Sequence, residues 1–281
     1  MDMTITWKEK VHPAFGRSLY VDNGVVELVI PLTYGIRIGH FSFIGEENVF
    51  YEQPSDMKEL TTEDGWRLRG GQRLWLAPED MDTYCPDNEP ITYDIQGGEI
   101  LLTQPIDARL GVIKSVCISF GEDATVHLTH RIVNCNSHAI TRALWPISVM
   151  APGGTEHIPL GRYESGFRPT HRISCWHYTC LGDERATYED EQIIIQQLPI
   201  ERCYKIGVGH PAGPVQYQNK GIVFEKSYEL IKDAVYPDGD VSYETYFCRQ
   251  MAELEILSPL YTVAPGESAE HQETWKLYRA D

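Results

Sequence analysis

No stretch of the 281-residue chain stays apolar for the roughly 20 residues that a membrane-crossing helix requires. Basic residues are scarce as well: 24 Lys and Arg stand against 41 Asp and Glu, a net charge of −17. That imbalance argues against nucleic acid as a partner, since its phosphates would be repelled, and equally against anionic membrane surfaces. The opening residues, MDMTITWKEKVHPAFGRSLYV, have neither the basic start nor the apolar core of a secretory leader. Seven cysteines follow no regular spacing, and an odd number suits reduced thiols better than a disulfide framework. These absences set the expectation of a cytoplasmic protein, monomer or homodimer. Chemical signatures are missing too. No G-x-S-x-G elbow supplies a serine nucleophile. GVGHPAGP imitates a dinucleotide loop, but Pro211 and Pro214 forbid the helix that should follow it. YPDGDVSYE lacks the alternating ligands of a calcium loop. No cofactor is expected.

What the chain does have is strand signal. VVELVI (25–30), YGIRIGHFSFIG (34–45), GVIKSVCISF (111–120), ATVHLTHRIVN (124–134) and ITRALWPISVM (140–150) are rich in β-branched and aromatic residues. EQIIIQQL (191–198), GIVFEKSYEL (221–230) and AEHQETWKLY (269–278) continue the pattern. Turn signals such as DNG, FGED, PGG and PGES separate them. Only DERATYEDE (183–191) has a composition that could support a helical turn, and it has no apolar face. Gly and Pro, 23 and 17 residues, are spread evenly, so no linker stands out and one domain over 1–281 is expected. Many strands joined by turns imply an all-β fold, a large antiparallel β-sandwich.

Three stretches carry possible chemistry. In RGGQRLWLAPED (69–80), strand alternation puts Arg73 and Trp75 on one face and Leu74 and Leu76 on the other. A guanidinium fork beside an indole suits a sugar, whose hydroxyls accept from the fork while its C–H face stacks on the ring. The competing reading pairs Arg73 with Glu79 or Asp80 at the strand end and leaves Trp75 merely packed. In AELEIL, Glu253 and Glu255 share a face, about 7 Å apart. On an exposed edge they would be ordinary; facing a cleft, burial and mutual repulsion would raise at least one pKa into the range of a general base. In HRISCWHYTCLGDER, His171, Cys175, His177 and Cys180 raise the question of zinc, but the spacing lacks a tight cysteine pair, and no metal is expected. His177, beside Trp176 and Tyr178, reads instead as a cleft imidazole or a hydrogen-bonded core histidine. His127 and His130 lie on opposite faces of one strand and cannot act together.

With YGIRI, RGGQRLWLAPED, LWPISVMAPGG, YPDGD, ELEILSPLYTVAPGE and HQETWKLY in this order, the chain resembles the galactose-mutarotase-like superfamily, in a branch related to aldose 1-epimerases. The resemblance implies a supersandwich with an open sugar cleft, a glutamate base for the anomeric hydroxyl, a histidine acid for the ring oxygen and an arginine that holds hydroxyls. By position it implies Arg73 as the substrate arginine and Glu255 as the base, with Glu253 as the second choice. Trp75, Gln72, Glu79 and Arg69 flank the arginine as candidate contacts. One departure matters: the strand that usually carries the acid histidine is here LWPISVMAPGG, which has none, and Gln72 stands where relatives have histidine. His177 and His157 are the available substitutes. The partner expected is a monosaccharide or oligosaccharide. Three readings follow: an epimerase, a non-catalytic carbohydrate-binding module or sensor, and a lyase or hydrolase working through Glu253 and Glu255.

Overall fold

The computed structural model describes residues 5–280 apart from 55–56, 58–59, 162–165 and 168. Among the described residues the chain is built from three antiparallel sheets with almost no helix. One sheet runs, in spatial order, Ile173–Cys175, Tyr204–Val208, Tyr243–Phe247, Ala252–Ile256, Ile140–Met150, Gly71–Ala77 and Arg37–Ile38, with Tyr261–Val263 pairing outside that path. A ten-stranded sheet lies against it, with Ile222–Tyr228, Ser268–Arg279, Thr125–Asn134 and Val112–Phe120 in its middle. A small four-stranded sheet holds Thr6–His12, Gly16–Asp22, Val26–Pro31 and His40–Phe43. The expected antiparallel sandwich is what forms.

Alternation of side chains explains how the two large sheets meet. Leu254 and Ile256 from the first sheet and Val126, Phe224 and Trp275 from the second belong to one buried cluster. Phe41, Phe50, Phe224 and Trp275 pack ring against ring, with centroids 5.4–6.2 Å apart. Leu74, Leu76 and Leu144 meet Val112 and Ile132 in a second inter-sheet cluster. The leucine face of the 71–77 strand is therefore core, as its alternation predicts.

Two sequence expectations change. The run 34–45 is not one strand: it breaks at Gly39, so Arg37–Ile38 joins the large sheet and His40–Phe43 the small one. A side chain at Gly39 would collide with the ring of Phe15, 2.7 Å from the added carbon. The 183–191 stretch is extended rather than helical, with Ala186–Tyr188 pairing onto Gln192–Gln196. Buried Asp183 and Arg185 explain this, since their side chains bond one another at 2.8 Å and hold the turn into that hairpin. The glycine pair of RGG also has a backbone reason. Gly70 and Gly71 both have positive φ, and added carbons there would lie 1.9 Å from the Tyr51 carbonyl oxygen and 2.4 Å from that of Ile38.

Candidate functional site

The face of the first sheet that turns away from the inter-sheet core carries an unusual lattice of side chains. Cross-strand pairing aligns Arg37, Arg73, Ile147, Glu255 and Glu244 in one row. The next row holds Gly71, Val149, Glu253, Tyr246 and Lys205. On the other side, Trp75 is paired with Trp145. Neighbours in such rows share one face because the side-chain period of a strand is two. Over this floor lies a cavity of about 780 Å³, lined by Arg73, Trp75, Trp145, Lys205 and Glu253 and, at its rim, by Glu79, His177 and Tyr178.

Arg73 answers the question posed by its segment. It is buried, its guanidinium carbon lies 4.3 Å from the centre of the Trp75 ring, and Nη2 donates to Glu253 Oε1 at 3.4 Å. The alternative partners are engaged elsewhere: Asp80 takes Arg142 at 2.6 Å and caps the turn Met81–Tyr84, and Glu79 accepts the hydroxyl of Tyr84. Arg73 thus points across two strands at a carboxylate 180 residues away, and its indole neighbour faces the cavity with it.

The two glutamates separate in role. Glu253 lines the cavity with its side chain 11% exposed, whereas Glu255 is fully buried. Glu255 accepts from Lys205 Nζ at 3.1 Å, and the same ammonium lies 2.8 Å from Glu244, also buried. Glu255, expected as the first choice of base, is sealed behind Lys205, and Glu253 is the carboxylate that lines the cavity. Of the Glu253/Glu255 pair named for a lyase or hydrolase, only Glu253 lines the cavity.

Burial raises the pKa of Glu253, and the Arg73 guanidinium opposes that rise. Burial pushes Glu255 up to about 7 and Glu244 up to about 8, again against the pull of Lys205. Lys205 resists the lowering effect of its own burial because Glu255 and Glu244 hold it protonated, raised above the ordinary lysine value.

Other assignments move. Gln72, expected as a sugar contact, does not line the cavity: it lies on the opposite face, fully buried, with Nε2 at 3.5 Å from both His130 and Glu273 in the inter-sheet layer. One residue of strand displacement puts it there. Arg69 does not line the cavity; its left-handed backbone turns it onto the Tyr34 ring at 4.0 Å and towards Asn88. His157 sits on the ten-stranded sheet, against Gln192, and does not line the cavity. His177 does, at the exposed rim, edge-on to Tyr178. No group of three metal-ligating side chains occurs among the described residues.

Sequence reading missed Lys205, Trp145 and Tyr246. A signal for the first existed: in CYKIGV, Tyr204 and Ile206 claim the core face, so a lysine between them has to point at the other one. Glu156 was missed too. It is wholly buried between the sheets, accepts from Tyr243 and Thr245, and is pushed up to about 8 by that burial.

These buried carboxyls predict how stability depends on pH. Glu156, Glu244 and Glu255 keep protons when folded that the unfolded chain releases above about 4.5. Their contribution is complete at low pH and fades as pH climbs towards about 8. The melting temperature should fall between about pH 5.5 and about pH 8.5. A rise over that interval in a thermal scan would contradict the arrangement.

No protein-family model and no curated protein matches the chain. Solved structures do. A galactose mutarotase-like protein from Lactobacillus casei superposes with a TM-score of 0.61 at 8% identity, over 93% of this chain and 100% of that one. A candidate aldose 1-epimerase from Klebsiella pneumoniae gives 0.62 at 9% identity, over 98% and 84%. A TPR-domain containing protein from Parabacteroides distasonis gives 0.64 at 16% identity, over 94% of this chain but 48% of its own, so the chain spans about half of that protein's length.

Proposed function

We propose that this chain, which has the galactose-mutarotase-like fold, binds a saccharide in the cavity over Arg73, Trp75 and Glu253 and interconverts its anomers. The observation that carries the reading is the convergence itself: a guanidinium laid on an indole, and a cavity-facing carboxylate 3.4 Å from it, brought together from distant parts of the chain. Arg73 presents N–H groups to sugar hydroxyls and Trp75 its face to ring C–H groups. Glu253 takes the proton of the anomeric hydroxyl, and its raised pKa makes it a stronger base than an exposed glutamate. Protonation of the ring oxygen lets the ring open, the C1–C2 bond turn and the other anomer close. His177 at the rim is the proposed acid. Lys205, held charged by two carboxyls, serves as a hydrogen-bond donor to hydroxyls rather than as a proton source.

The test is polarimetry of freshly dissolved aldoses with and without the protein. Decay of rotation faster than the spontaneous rate supports the reading; unchanged decay for a broad sugar panel sinks it. A second reading, binding without turnover, is favoured by one observation: Trp145, Ile147 and Val149 occupy the cavity face of the 140–150 strand, where the resemblance calls for a histidine. Calorimetric binding without anomer exchange would select it. In either case Trp75→Leu, which keeps apolar bulk and removes the flat face, should weaken sugar binding about tenfold, ~1.4 kcal/mol. An unchanged dissociation constant would remove Trp75 from the site.

A further inference from the structure

The cavity repeats one arrangement twice. Arg73 lies 4.3 Å from the Trp75 ring and 5.5 Å from that of Trp66, and is paired with Glu253. Lys205 lies 4.5 Å from the Trp145 ring and 4.7 Å from that of Trp176, and is paired with Glu255. Each station is a cation touched by two indoles and anchored to a carboxylate of the same strand. The two anchoring glutamates are one strand repeat apart, which advances the chain by about 6.6 Å. The inner indoles, Trp75 and Trp145, meet edge to face across neighbouring strands, with centroids 5.7 Å apart and 69° between their planes.

Volume points the same way. A hexopyranose has the bulk of about six waters, roughly 180 Å³ at about 30 Å³ each. In a cavity of about 780 Å³ one such ring on Trp75 would leave most of the space, and the whole Lys205 station, unused. Charge then narrows the class. Both cationic side chains that line the cavity among the described residues, Arg73 and Lys205, already carry carboxylate partners, and Lys205 has two. Glu79 adds a further carboxylate at the rim. A phosphate or uronate would enter without a free counter-charge and would meet these carboxylates.

We infer that the site takes an uncharged saccharide of at least two rings, one on each station, in preference to single sugars and to phosphorylated or carboxylated ones. This rests on the sugar-binding reading above. It is tested by calorimetry on the full chain with glucose, galactose, maltose, cellobiose, lactose, glucose 6-phosphate and glucuronate. The result expected is that a disaccharide binds about tenfold tighter than its component monosaccharide, because a second ring is stacked, while neither charged sugar exceeds its neutral counterpart. Trp176→Ala, a change on a half-exposed rim segment, should reduce that disaccharide advantage to about twofold or less. Equal affinity for one ring and two, tighter binding of a charged sugar, or an undiminished advantage in Trp176→Ala overturns the two-station inference and leaves saccharide binding intact. Absence of heat with all seven sugars overturns the saccharide reading itself, and this inference with it.

Discussion

Glu253→Gln is expected to lower the anomer-exchange rate by about 10²–10⁴-fold, the usual worth of a positioned general base. Glutamine keeps the size of the side chain and still offers an oxygen to Arg73, which bonds Glu253 at 3.4 Å. Sugar binding should therefore persist, and the loss should fall on turnover. Glu255→Gln provides the contrast. Its carboxylate is fully buried and engaged by Lys205, so its neutralisation should cost far less rate while changing stability. Polarimetric rates and melting temperatures of both variants decide the matter. A wild-type rate in Glu253→Gln, with loss in Glu255→Gln, would return the role of base to Glu255 and require the cavity to open further than it does.

The fold was legible because alternation is a robust signal. Strands such as 111–120 and 124–134 place alternate residues in the core, and their burial patterns alternate without interruption. Arg73 and Trp75 were legible for the same reason, since one parity was already claimed by Leu74 and Leu76. Parity also shows why Gln72 was misplaced: it shares the leucine face, and adjacency to Arg73 in sequence says nothing of sharing a site. The choice between Glu253 and Glu255 lay beyond parity, because both face the same way. What separates them in space is Lys205, which arrives from another strand and covers Glu255, leaving Glu253 to line the cavity. HQETWKLY illustrates a different limit. Its recognisable residues serve the interior: Glu273 bonds His130 at 2.7 Å and lies 3.1 Å from buried Lys226, and Trp275 is core.

Lys205→Met should produce the largest stability change, a loss of about 3–5 kcal/mol near pH 8, because two buried carboxyls lose their counter-charge together. Methionine fills much the same volume and can lie between the Trp145 and Trp176 rings, so packing accounts for little of the loss. The pH dependence separates charge from packing. Folded Glu255 and Glu244 titrate at about 7 and about 8 with the ammonium present, against about 4.5 in the unfolded chain. Without the ammonium both folded values move higher, so protons are held still more strongly by the native state. The stability contributed by those bound protons is present at low pH and lost as pH rises through the folded values. The variant's deficit should therefore shrink as pH is lowered towards about 5, where both carboxyls are neutral and no buried anion is left unpaired. Denaturant titrations of both proteins at about pH 5 and about pH 8 measure it directly. A deficit of the same size at both would mean that Lys205 acts through shape alone, and that the floor of the cavity is not built on a shared charge.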